Sequence, residues 1–226
     1  MIRGPGIAKR HSACTFENFA VVPANRAALK AARSVADGAS TGVILIGPVG
    51  RGKTHLLAAM AKAFDERRKP RLDDGASFVA VPSIRELIAQ ATEDDGDTSA
   101  PTLEAHELAR EAVIEFWPML DLVSELRNEI RTGEPVVSTR CRTCDLLVLD
   151  DFGQERMTDF VLEEMERIID WRYRNMLPIA VSTNLTIEQM ADARKYGDRS
   201  ISRWAESCEI VKVGGIDHRT EKKERT

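Results

Sequence analysis

Residues Gly47-Pro48-Val49-Gly50-Arg51-Gly52-Lys53-Thr54 separate two glycines by four positions and follow the second with a lysine and a hydroxyl. A loop that wraps a polyanion with backbone N–H groups needs glycine where the chain turns tightly or where a side chain would block the phosphates. The lysine then reaches the β- and γ-phosphates and the hydroxyl binds Mg²⁺. Gly47, Gly52, Lys53 and Thr54 meet that pattern. Pro48, Val49, Gly50, Arg51 and the following His55 complete the expected binding set for ATP, with Thr54 also a ligand of Mg²⁺.

Leu146-Leu147-Val148-Leu149-Asp150-Asp151 is an apolar run ending in two carboxylates. A carboxylate opposite the phosphate loop can hold Mg²⁺, commonly through water. Asp150 is the expected metal ligand, and Asp151 the group that orients or deprotonates an attacking water. Two adjacent acids could also form a plain solvated turn; the loop upstream favours the functional reading. Ser182-Thr183-Asn184 closes a later apolar run. Asn184 there can hold the lytic water or touch the γ-phosphate, although asparagine at a strand end is also a common turn former. Arg199 and Arg203 lie four apart, on one face of a short helix. Arginines beside a phosphate site stabilise transition-state charge, often from a neighbouring subunit. Periodicity alone favours surface salt bridges.

These residues need a frame. Val43–Ile46, Ser77–Val81, Leu146–Asp150, Ile179–Ser182 and Glu209–Val213 read as strands, with helical patterns between them. That alternation predicts an α/β fold: a five-stranded, mostly parallel sheet with helices on both faces. Asn25–Ala36 is Ala-rich and helical in character. Leu56, Leu57, Met60 and Phe64 recur at helical spacing after the phosphate loop, as do Val161, Leu162, Met165, Ile168 and Ile169 behind the N-cap Thr158. Ser83–Glu86 and Thr186–Gln189 fit capping boxes. The stretch 91–140 departs from the alternation. It opens acidic and predicts two helices, Leu103–Phe116 and Met119–Ile130, parted by Pro118 and closed by Gly133-Glu134-Pro135. It reads as a helical insertion between strands two and three.

The 226 residues suffice for one well-buried domain. No apolar run approaches the length of a membrane span and the N-terminus lacks a hydrophobic signal core, so a cytoplasmic protein is expected. Net charge of −4 argues against a protein that coats nucleic acid non-specifically. Cys141 and Cys144 form a CxxC without partner ligands for zinc, and Cys14 and Cys208 stand apart, so plain reduced thiols are expected.

The ordered set GPVGRGKTHLL, LLVLDDFG, STN and YGDRSISRW followed by DHR resembles the DnaC/IstB family of AAA+ ATPases, which holds helicase loaders and transposition helpers. The resemblance implies an AAA+ core over residues 16–219, between a flexible tail 1–15 and a basic tail 220–226. The Asn184 strand would lie between those of the phosphate loop and Asp150. Asn184 would be sensor 1, Arg203 the arginine finger acting in trans, Arg199 a second arginine of that motif, and Arg219 the sensor 2 residue. A trans finger implies a head-to-tail homo-oligomer. The implied partners are single-stranded DNA and a hexameric replicative helicase. The alternative within the family is a transposase partner on duplex DNA; a small-molecule kinase is more distant, because it would lack the DD and STN strands. Loaders of the DnaC type carry an N-terminal helicase-binding domain, and only about fifteen residues precede the family region here. The acids of the 91–140 stretch would repel DNA and imply a protein contact there.

Overall fold

In the computed structural model, the described residues are 1–68, 112–153, 158–191, 198–215 and 217. Among these residues six strands form one sheet: β1 (Ile2–Arg3), β2 (Gly42–Ile46), β3 (Ile114–Pro118), β4 (Leu146–Phe152), β5 (Ile179–Thr183) and β6 (Glu209–Lys212). Their order is β1-β3-β4-β5-β2-β6, and every described pairing is parallel. The Asn184 strand β5 thus runs between β2 and β4, as the resemblance implied.

Residues alternate across the inner strands and each face is buried under helices. Val43, Leu45, Val148 and Ala180 point to one core with α1 (Arg26–Ala36) and α2 (Lys53–Arg67). Ile44, Leu147, Leu149 and Val181 point to the other. That second core is closed by α3 (Met119–Thr132), α5 (Asp159–Arg174) and α7 (Asp198–Ser207), with α4 (Val136–Thr143) at its side. Leu56, Leu57 and Met60 are fully buried, as their spacing predicts. Thr158 caps α5 by accepting from the Val161 N–H. Thr186 and Gln189 exchange the two capping-box bonds ahead of α6 (Ile187–Ala191).

Three expectations are corrected. Residues Ile114–Phe116 are not the end of a helix but part of β3, which pairs with β4 from Ile114↔Leu146 to Pro118↔Asp150. Pro118 therefore joins a strand to α3 and does not separate two helices. Consequently the later part of the 91–140 stretch, β3 through α4, is sheet and core, not an insertion. Glu115, counted among the acids that would repel DNA, is fully buried and holds Arg140 through two bonds of 2.8 Å. The expected N-terminal tail is also built into the body: Ile2 and Arg3 pair with Ile114 and Glu115 as an edge strand. The expected strand Ser77–Val81, the Ser83 capping box and the acidic opening of the 91–140 stretch lie outside the described residues.

Candidate nucleotide site

The phosphate loop leaves β2 at Gly47 and enters α2 at Lys53. A Cβ on Gly47 would stand 2.4 Å from the Val213 carbonyl oxygen, so no side chain fits between β2 and the strand end beside it. Gly52 precedes α2 with φ 88, a left-handed turn that glycine adopts without strain. The turn directs the first N–H groups of α2 toward the loop, where the helix dipole favours an anion. Lys53, 5% exposed, donates to the Gly47 oxygen at 2.6 Å, the Pro48 oxygen at 2.9 Å and Asn184 Oδ1 at 2.7 Å.

Strand β4 brings the acids to the same end of the sheet. Asp150 Oδ1 accepts from Thr54 Oγ1 at 3.1 Å and from Ser182 Oγ at 2.5 Å. Burial pushes the Asp150 carboxyl above its ordinary range; the bonds from Ser182 and Thr54 pull it back, and the Asp151 charge adds to the rise. Asp151 has φ 57, in the left-handed region, and lines the open cleft with Lys53, Thr54 and Asn184. The geometry thus gathers Lys53, Thr54, Asp150, Asp151 and Asn184 at one point.

The cleft has a volume of about 540 Å³, and its far wall is Arg10, His11, Asn18, Phe19 and Ala20. Sequence reasoning missed this wall. Phe19 stands edge-on to His55 with centroids 5.2 Å apart, and the His55 ring Nε2 lies 2.9 Å from the Thr15 oxygen. The signal was present as Thr15-Phe16-Glu17-Asn18-Phe19. Thr15 and Asn18 exchange side-chain to backbone bonds of 2.9 and 3.3 Å that fold the segment back, while Phe16 and Phe19 bury into the α1–α2 core. A second cavity of about 410 Å³ lies among Thr41, Tyr173, Met176, Leu177 and Trp204, and neither the phosphate loop nor Asp150, Asp151 or Asn184 lines it.

Arg203 is on α7 and ion-paired with Asp170 of its own chain, away from the cleft lining. Arg199 shares that helix. Arg219 and the basic tail lie outside the described residues.

The donor set suits Mg²⁺, a hard cation that takes one or two carboxylates and a hydroxyl and keeps waters and substrate oxygens for the rest. Asp150 and Thr54, already within bonding distance of one another, are such a pair. Among the described residues there is no cluster of three acidic, histidine or cysteine ligands that would hold a metal by itself.

A family model, the bacterial DnaA ATPase domain, matches residues 10–73, which include the far wall, the phosphate loop and α2. Solved structures share the fold across nearly the whole chain. A DnaC helicase loader superposes with TM-score 0.65 at 21% identity, covering 92% of this chain and 100% of that one. The replication initiator DnaA bound to AMPPCP and single-stranded DNA gives TM-score 0.65 at 18% identity, covering 97% and 56%. The chain has the fold of these replication proteins. Among curated proteins the chain is 29% identical over 136 residues to the phage-like element PBSX protein XkdC of Bacillus subtilis, covering 56% of this chain and 51% of that protein. It is 28% identical over 203 residues to YdaV of Escherichia coli, covering 88% and 64%. The chain therefore spans less than two thirds of the length of these relatives. No described helix is long and apolar enough to cross a membrane.

Proposed function

We propose that this chain is an AAA+ ATPase and a replication factor that assembles on single-stranded DNA as a head-to-tail homo-oligomer and loads a hexameric helicase, with ATP hydrolysis as the release switch. The observation that carries the reading is the Lys53–Asn184 bond across the sheet, which ties the phosphate loop to the end of β5. It joins the fold match to a DnaC helicase loader and to a DnaA bound to single-stranded DNA.

In this reading the loop N–H groups and Lys53 bind the polyphosphate, and Thr54 and Asp150 hold Mg²⁺. The metal, when bound, neutralises charge on the phosphates. Asp151 faces the cleft as the acid that orients or deprotonates the attacking water. Asn184 reports the phosphate end to β5. His55, Phe19 and the Arg10–His11 segment wall the rest of the nucleotide. Arg203, with Arg199 beside it, serves a neighbour's site, and Arg219 serves its own.

The test is ATP hydrolysis by the purified chain with single-stranded DNA, with duplex, and with neither, beside a Lys53→Ala control. Stimulation by single strands that is absent from the control, followed by co-purification with a hexameric helicase, is the expected result. Stimulation by duplex alone would replace the loader reading with that of a transposition helper.

A further inference from the structure

Asp150 and Asp151 occupy a β-bulge. The pairing of β4 with β5 runs through Leu149↔Val181 and resumes at Phe152↔Thr183, so two residues of β4 oppose Ser182 alone. The extra residue of a bulge loses its ladder partner, and a buried N–H without one is costly. Here the Ser182 hydroxyl substitutes for the missing partner. It accepts from the Asp151 N–H at 2.9 Å and donates to Asp150 Oδ1 at 2.5 Å. Ser182 is fully buried, and a hydroxyl has one proton to give, which this arrangement commits to Asp150.

We infer that Ser182 is a positioning residue for hydrolysis: its single hydroxyl fixes the bulge that points Asp150 at Thr54 and Asp151 into the cleft. The inference rests on the reading of Asp150 and Asp151 as the metal-holding and water-handling acids. Its physical basis is the Asp151 backbone. A non-glycine residue holds a φ of 57 only when its surroundings over-determine it. Among the described residues the Ser182 hydroxyl is a side-chain contact that pins that peptide. Without it the bulge can relax, and a shift of one position along a strand turns a side chain to the opposite face. The next residue supplies an internal comparison. The Thr183 hydroxyl is equally buried and joins the same two strands, donating to the Phe152 oxygen at 2.7 Å and accepting from the Leu185 N–H at 3.0 Å, but it bonds neither acid.

The experiment compares Ser182→Ala, Ser182→Thr and Thr183→Val in the whole chain. It reads kcat and KM for ATP, the melting temperature, and the Mg²⁺ concentration that half-saturates binding of a fluorescent non-hydrolysable ATP analogue. Ser182→Ala is expected to lower kcat by about tenfold or more, with KM within about threefold and the Mg²⁺ requirement raised about fivefold, the scale of one charge-assisted bond. Ser182→Thr restores the hydroxyl and returns kcat to within about threefold of wild type, while Thr183→Val melts earlier but keeps kcat within the same margin. A folded Ser182→Ala protein with wild-type kcat and Mg²⁺ requirement overturns the inference. So does an equal loss of kcat in Thr183→Val, which would make both hydroxyls merely stabilising. If Ser182→Ala does not fold, Ser182→Cys, similar in volume and a poor hydrogen-bonding group, is judged by the same criteria. Failure of the underlying reading has its own signature: turnover that survives both Lys53→Ala and Asp151→Asn.

Discussion

Arg203 of α7 is ion-paired with Asp170 of α5, and its guanidinium lies over the Tyr173 ring at 5.7 Å from the centroid. Arg174 shares the same carboxylate, and the Tyr173 hydroxyl donates to Glu206 at 2.7 Å. The arginine proposed to serve a neighbour's phosphate is therefore held within its own chain by a mostly buried acid. Action in trans requires Arg203 to exchange that carboxylate for a phosphate, which assembly alone can supply.

Arg203→Ala should accordingly bind ATP with wild-type affinity yet turn over at least about 1,000-fold more slowly in the presence of DNA, the low end of what arginine fingers contribute. Mixing it with Lys53→Ala should recover activity, because the Lys53→Ala subunits still offer Arg203 to the intact phosphate loops of the Arg203→Ala subunits. Steady-state hydrolysis of the two proteins, alone and mixed, decides the matter. Unchanged turnover in Arg203→Ala alone would remove the finger assignment.

Asn184 holds Lys53 across 131 positions of sequence. Asn184→Ala leaves the lysine its carbonyl acceptors Gly47 and Pro48, so nucleotide affinity should stay within about threefold while kcat falls by about 100-fold or more, the scale of one polar contact to a reacting group. Lys53→Ala should instead lose ATP binding. Equilibrium binding of a labelled nucleotide beside single-turnover hydrolysis separates the two, and a parallel loss of affinity in Asn184→Ala would contradict the role given to it.

The phosphate loop and the Asp150–Asp151 pair were legible in the sequence because each joins a local pattern to a chemical demand, whereas the placement of β5 followed only from the family resemblance. β3 was not. Glu104, Glu107, Glu111 and Glu115 recur at helical spacing, and Glu115 read as one more solvated acid on a helix face. Its neutraliser, Arg140, lies 25 positions away, so the burial that makes 114–118 a strand is a tertiary effect with no local signal. β1 is two residues long, too short for any periodicity to show. The far wall of the cleft failed differently. Phe16 and Phe19 carried a readable apolar signal, but nothing local says that a segment more than thirty residues upstream of Lys53 folds over its helix.

The Glu115–Arg140 pair makes the tertiary effect measurable. Glu115 is bonded by Arg140 Nε and NH2 and by Trp117 Nε1 at 2.9 Å, inside a strand packed on both sides. Breaking a fully buried pair costs about 3–5 kcal/mol, because an uncompensated charge stays behind. Arg140 is 35% exposed, so water screens part of the interaction. Arg140→Met should therefore destabilise by about 2–3 kcal/mol, a fall of roughly 5–10 °C in melting temperature for a chain of this size. The double variant Glu115→Leu, Arg140→Met removes the charge as well and should recover most of the loss. Denaturant titrations of both proteins test this; equal destabilisation would mean that packing, not charge, governs the site.

Cys208 gives the pH dependence. Its side chain packs against Gly42, where an added Cβ would stand 2.4 Å from the sulfur, and burial raises the thiol from its ordinary 9.0 to about 11, slightly offset by a bond with Ser207. A raised thiol means that between these values the folded chain keeps a proton which the unfolded chain has released. By linkage, unfolding free energy then falls as pH rises through that interval. The contribution is intact below pH 9.0 and lost by about 11, a swing on the order of 2–3 kcal/mol for a two-unit shift. Cys141 and Cys144, also buried and also shifted upward, steepen the decline. Cys208→Ala should flatten part of the slope in denaturant melts taken from pH 8 to pH 11. The same burial orders thiol reactivity: at pH 7.5 the half-buried Cys14 should react quickly with a disulfide reagent, and the three buried cysteines only at the rate of unfolding. Rapid labelling of Cys208 in the native chain would contradict both expectations together, since an accessible thiol has no burial to raise it.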